Sequence, residues 1–226
     1  MFKLKMQRLT RRWHRLLAIV VSLQLLAWTI SGVFFAFLDI TEVRGTPFKN
    51  DSRPPIHLPR TIDWVESPFE EMRVISRLGA PIIGTRQGNE WLWRDASGGP
   101  IAIMDNTEAR SAAEYSTRFT ATSARLIEAP SQGSEYRGHA LPLYQIQVQE
   151  SEDTRVYVDA YTGELRAIRS NTWRWWDFLW SLHIMDYAER DTIGTLLLKV
   201  FSVMSLLTSI AGTLLFFTST KPRKKR

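Results

Sequence analysis

Apolar and polar positions divide this chain into five stretches before any single residue is considered. Leu16–Leu38 is 23 residues without a charge. A second apolar run, from about Leu196 to Phe217, is interrupted only by Lys199. At a rise of about 1.5 Å per residue, each run spans a hydrocarbon core of roughly 30 Å as a helix. The polar stretch between them, Asp39 to Asp191, holds 153 residues. That length suffices for a hydrophobic core. The pattern predicts a membrane hairpin carrying one folded domain on one side.

Within the polar stretch the period changes. Residues 39–60 read as a linker that becomes Pro-rich (Pro47, Pro54, Pro55, Pro59), which favours extended backbone and predicts a spacer above the bilayer. Helical stretches are expected at Pro68–Leu78 and Glu108–Ser123, each followed by short alternating segments. In 141–149, Leu143, Gln145, Gln147 and Gln149 should face one way and Tyr144, Ile146 and Val148 the core. Two turns repeat at an offset of 64 residues, aligning Asp95 with Asp159, Ala96 with Ala160 and Gly99 with Gly163. Aspartate bonds backbone two residues on, and glycine takes the positive φ that closes the turn. Helix followed by strands, twice, predicts an α+β domain of tandem helix-plus-antiparallel-sheet repeats between two transmembrane helices.

Charge orients the hairpin. Lys3, Lys5, Arg8, Arg11, Arg12 and Arg15 precede the first run; Lys221, Arg223, Lys224, Lys225 and Arg226 follow the second. These 11 charges exceed the formal balance of +6, so the remainder nets −5. Basic flanks stay cytoplasmic, which places both termini inside, the domain outside, and leaves no basic domain surface to suggest nucleic acid. The first run is longer than a signal-peptide core, and no small-residue cleavage site follows it, so it reads as an uncleaved anchor. With no cysteine, disulfides, thiolate metal sites and iron–sulfur clusters are excluded. The segment 171–191 places Trp173, Trp175, Trp176 and Trp180 within eight residues. Trp176, Trp180, His183 and Tyr187 share a helical face, so this reads as an amphipathic helix on the membrane surface. The expected organisation is a basic N-terminus (1–15), a first span (16–38), a linker (39–60) and the domain (61–170). The interfacial helix (171–191), a second span (192–217) and a basic tail (218–226) follow.

"LPLYQIQVQESEDTRVYVDAYTGELRAI" (141–168) resembles the PepSY module, marked by a strand, a loop and then V-x-V-D-A-x-T-G-x-hydrophobic. Residues 91–103 resemble a degenerate second copy, and the segments 11–35 and 179–217 resemble the helices of PepSY-associated transmembrane proteins. The resemblance implies a bacterial inner-membrane protein with a periplasmic, duplicated PepSY-like domain working through protein–protein contacts. In larger relatives, histidines on membrane helices hold haem, which makes His14 and His183 candidate haem b ligands in a ferric-siderophore-reductase-type alternative. The two lie at opposite edges of the span, so one haem could not take both from one subunit. His57 and His139 read as solvated loop residues.

No catalytic constellation is expected: Asp95 and Asp159 stand where turns need aspartate, and no HExxH, GxSxG or phosphate-cradling loop occurs. No metal site is expected either. The expected partners are the lipid bilayer, an unknown membrane or periplasmic protein and, through the small residues Ser31-Gly32 and Ser209–Gly212, a second copy. Tyr144, Tyr157 and Tyr161 are the expected partner face. Gln24, polar inside the first run, is expected to face protein.

Overall fold

The computed structural model describes residues 2–50, 56–57, 62, 64 and 68–219, without the side chains of 2–14, 211 and 214–219. Pro54, Pro55, Pro59, the basic tail and the His14 side chain lie outside the described residues. The chain divides into two compact units, Met1–Leu38 with Trp176–Arg226, and Asp39–Trp175.

The first unit is helical. Helix α1 (Phe2–Phe37) contains the uncharged run, and α5 (Leu196–Ser219) packs against it. The span Arg15–Phe37 is, among the described residues, the one helix segment long and apolar enough to cross a membrane. Only 11% of its most apolar window is buried, so it is no soluble core helix. Leu16, Ile19, Leu23, Leu26, Ile30 and Val33 are exposed instead, as lipid-facing side chains are. One stripe of α1 is different. Gln24, Trp28, Ser31 and Phe35 follow at intervals of 3 and 4, on one helical face, and meet the later helix α4 (Asn171–Ile184) over its residues in this unit.

The second unit is α+β with two antiparallel sheets. Sheet one is the meander β1 (Glu71–Arg77), β2 (Ala80–Gln87), β3 (Glu90–Asp95). The helix expected at Pro68–Leu78 is therefore a strand. Two tight turns at Leu78-Gly79 and Gly88-Asn89 override its helical spacing: Leu78 has φ +51°, Gly79 +90° and Gly88 +60°. These positive values suit hairpin turns that match strand twist. Helix α3 (Asn106–Ser116) precedes sheet two, β4 (Ala121–Ile127), β5 (Leu143–Val148), β6 (Arg155–Asp159), β7 (Leu165–Arg169), in sequential order.

Helix α3 is shorter than expected. Its N-terminus is fixed by a capping box, Asp105 accepting from Thr107 and Glu108 N–H while Glu108 accepts from Asp105 N–H. Thr117 is already extended, and strand β4 takes Ala121 onward. On α3, Ala109, Ala112 and Ala113 press against Tyr144, Ile146, Val148, Val156, Val158 and Ile168 of sheet two. The opposite face of that sheet carries Ile127, Leu143, Tyr157 and Ala167, covered by Tyr136 and Leu141.

The start of the linker is not a spacer. Asp39 caps the short helix α2 (Ile40–Val43), a 3-10 turn follows at Thr46–Phe48, and Val43 is buried. Gly45 approaches Ile168 so closely that a Cβ would stand 2.7 Å from that side chain, and its φ is +68°. Phe48 stacks on Phe119 at 4.9 Å, and Arg118 N–H donates to Phe48 O at 2.9 Å. Residues 39–50 thus belong to the domain.

The two aspartate turns exist and use the same chemistry. Asp95 Oδ1 accepts from Ser97 and Gly99 N–H, and Asp159 Oδ1 from Tyr161 and Thr162 N–H. They close differently: Asp95 N–H donates to Gly99 O, Asp159 N–H to Glu164 O. The first turn is one residue shorter, so its positive-φ glycine is Gly98 (+91°) and not Gly99, opposite Gly163 (+71°). Among the described residues the first half has the turn but no helix, so a duplicated helix-plus-sheet architecture is not what the structure displays.

Candidate functional site

Two side-chain clusters carry chemistry, one in each unit. In the helical unit His183, in the last turn of α4, lies beside the polar stripe of α1. Ser31 is buried, and its Oγ stands 2.8 Å from His183 Nδ1 and 3.1 Å from Trp28 O. Ser31 has one proton to give. Donated to Trp28 O, it makes Nδ1–H the donor to Oγ and leaves Nε2 unprotonated; donated to Nδ1, it leaves the imidazole proton on Nε2. The backbone is held as well: Trp28 Nε1–H donates to His183 O at 2.8 Å, and Gln24 Nε2–H to Leu182 O at 3.3 Å. These are carbonyls of the open end of α4, which lack intrahelical partners. Around the imidazole stand Trp180, parallel at 6.4 Å, Phe35 at 5.6 Å and Trp28 at 6.5 Å, with Trp176 stacked on Trp180 at 5.3 Å.

The predicted residues are thus partly separated. His14 precedes Ser31 by 17 positions on α1, about 25 Å along the axis, so the chain does not bring it to His183. Tyr187 is beyond the end of α4 and exposed, off the face that Trp176, Trp180 and His183 share. Of the other two tryptophans, Trp175 is 62% exposed, whereas Trp173 is buried in the α+β unit, with Arg169 4.3 Å and Arg137 5.5 Å over its ring. After α4, Asp186 accepts from four backbone N–H groups, of Ala188, Glu189, Asp191 and Thr192, and Asp177 pairs with Arg190 at 2.7 Å.

In the α+β unit an open groove of about 500 Å³ lies on the face of sheet two away from α3. Glu135, Gln145, Arg155, Tyr157, Asn171 and Arg174 are among its lining residues. Glu135 is gripped in bidentate fashion by Arg174 Nε–H and Nη2–H and also accepts from Tyr157 Oη–H at 3.2 Å. Gln145 Nε2–H donates to Tyr157 Oη at 2.9 Å. Burial, and after it the Glu135 charge, pushes the Tyr157 phenol up to about 12, so it stays a hydrogen-bond donor.

Of this cluster the sequence singled out Tyr157 alone; Glu135, Arg155 and Arg174 were not anticipated, although the outward-facing Gln145 on an otherwise apolar strand was a signal. Tyr144 points to the opposite face, donating to Met104 O at 2.6 Å within the α3 core, and Tyr161 sits in the Asp159 turn. The three tyrosines therefore share no face. Among the described residues no three His, Asp or Glu side chains converge as a metal set.

Neither a curated protein nor a solved structure matches the chain. A family match does exist, and it covers residues 63–226, from sheet one through α5. That is most of the chain: the match takes in both sheets, α3, α4 and α5, and begins after α1. The protein belongs to the family of the PepSY-associated TM region.

Proposed function

We propose that the protein is a PepSY interaction module anchored in the bacterial inner membrane, with α1 and α5 as its two spans. Both termini are then cytoplasmic and the 39–175 domain periplasmic, working through contacts with a membrane or periplasmic protein. The observation that carries this reading is the lipid-facing helix Arg15–Phe37 joined to a folded, family-assigned domain. The basic residues beside both apolar stretches support the orientation. Helix α5, at 24 residues and about 1.5 Å each, is long enough to cross.

Since the chain has no cysteine, single substitutions test the topology. A membrane-impermeant maleimide applied to intact spheroplasts should label Asn89→Cys and spare Lys3→Cys. The reverse pattern would overturn the orientation. Crosslinking in native membranes should then recover a recurrent protein partner with the full chain; recovery of none would sink the interaction reading.

One observation favours a second reading, a haem b-bearing electron-transfer or ferric-siderophore-reductase-type subunit. Ser31 Oγ holds His183 Nδ1 at 2.8 Å, as a residue behind a metal-bound imidazole does. His14 would serve a different site, so the second axial ligand has to come from another chain or from another residue type such as Met185. A reduced-minus-oxidised absorbance spectrum of solubilised protein decides: a b-type signal lost in His183→Ala supports this reading, and a flat spectrum from haem-replete cells removes it.

A further inference from the structure

One residue of the groove is out of balance with its surroundings. Arg155 and Arg169 are direct cross-strand partners on β6 and β7. Like charges placed opposite each other in a sheet repel. Arg169 is fixed elsewhere, its Nε–H donating to Glu135 O at 2.8 Å and its guanidinium lying over Trp173. Arg155 lines the groove, half-buried, and its guanidinium makes no hydrogen bond or ion pair to any described residue.

The carboxylates nearby are already engaged. Glu135 takes Arg174 and Tyr157, and Asp153 Oδ2 accepts from Asn171 Nδ2–H at 2.6 Å. Of the charged residues that line the groove, Arg155 and Arg174 against Glu135 and Asp153, Arg155 is the guanidinium without a counter-ion among the described residues. A planar fork of N–H donors is matched best by a carboxylate. Beside it, the free Oε1 of Gln145 and the Ser134 hydroxyl offer partners to a peptide backbone.

We infer that this groove seats an acidic segment of a partner protein, with Arg155 taking a glutamate, aspartate or C-terminal carboxylate. The inference rests on the interaction-module reading and names the chemistry of its partner. The groove is the size of many ligand sites, and its polar lining suits an extended, hydrated peptide better than an apolar helix. Arg155 is then kept for recognition and not for stability, since within the chain it meets repulsion.

The test uses the full chain in neutral phosphatidylcholine nanodiscs at low ionic strength. The probe is a rhodamine-labelled peptide of alternating glycine and glutamate, compared with its glutamine counterpart by fluorescence anisotropy. The glutamate peptide should bind at least about tenfold tighter than the glutamine one, and Arg155→Gln should remove that preference. Arg155→Lys should retain part of it, and the thermal midpoint of Arg155→Gln should not fall. Equal binding of both peptides, or an unchanged preference in Arg155→Gln, overturns the proposal. So does Arg155-dependent binding of phosphatidylglycerol vesicles without peptide binding, which assigns the charge to lipid head groups. The parent reading fails separately. A crosslinked partner recovered equally by wild type and Arg155→Gln overturns the groove alone, whereas no partner with either overturns the interaction module itself.

Discussion

The two sheets of the α+β unit are similar in strand length and both antiparallel, yet they are held by different physics. Sheet two is covered on both faces. Its β5 strand alternates Tyr144, Ile146 and Val148 into the α3 core with Leu143 into the opposite cluster. Sheet one contributes no residue to either hydrophobic cluster. It buries Ile82 and Ile83, neighbours on opposite faces, and otherwise relies on its edges. Trp91 stacks on Trp93 at 5.4 Å, Arg73 lies over Trp91 at 4.8 Å, and Arg86 bridges Glu70 and Glu71. Exposed ion pairs of this kind contribute little. Sheet two is thus the cooperative core, and sheet one an attachment that opens at lower free energy.

The largest expected effect breaks the stronger side of that comparison. Ile146 is fully buried, so Ile146→Ala should cost about 2–5 kcal/mol in denaturant unfolding of the full chain. Leu92, 55% exposed on sheet one, should lose about 0.5 kcal/mol or less on the same truncation. Equal losses would mean that the two sheets unfold as one body.

A smaller effect probes the weak side. Gly84 lies under Trp93, where an added Cβ would stand 2.5–2.8 Å from three ring atoms. Gly84→Ala displaces the indole and should cost about 1–3 kcal/mol by overpacking. Because sheet one opens separately, amide exchange should accelerate in β1–β3 and remain slow in β5 and β6. Acceleration in all strands would refute the division.

Smaller again is the loss of one groove hydrogen bond. Tyr157→Phe keeps the packing of the ring but removes a donor to Glu135 and the acceptor of Gln145. About 1–2 kcal/mol should be lost. The loss should shrink in a Glu135→Gln background, since part of it is the Glu135 interaction; an undiminished loss in that double-mutant cycle would show the two side chains to be uncoupled.

Legibility in the sequence followed the same contrast. Sheet two was readable because burial on a defined face imposes period two, and the β5 assignment of Tyr144, Ile146 and Val148 holds residue by residue. Only strand β1 reads as a helix, at Pro68–Leu78, since a half-exposed strand lacks that strict alternation. The hairpins of sheet one were announced by Gly79 and Gly88 instead. Gln24 bonds protein as its polarity inside an apolar run implied. The Gln24, Trp28, Ser31 and Phe35 stripe was present too, but only the fold shows that α4 meets it. The groove was hidden because Glu135 and Tyr157 come together through a loop, over a separation of 22 residues that no local period encodes.

The smallest effect lies at the edge of sheet two and depends on pH. His139 is half-buried in the loop before β5, and burial first, then Arg169 and Arg166, hold its pKa below the ordinary 6.5. A base whose folded pKa is depressed binds fewer protons folded than unfolded in the window between the two values. Stability therefore rises with pH across that window. The His139 contribution is complete above about pH 6.5 and is lost as pH falls towards the folded value. His139→Gln should flatten the slope of unfolding free energy between pH 5 and 7 while leaving sheet one untouched. The carboxylates of Glu71 and Asp95 on sheet one, held below their usual range by the Arg73 and Ser97 hydrogen bonds respectively, respond in the same direction only at lower pH. A slope in the pH 5–7 window that survives His139→Gln would place its origin outside sheet two's edge, and would remove the one pH-sensitive distinction between the sheets.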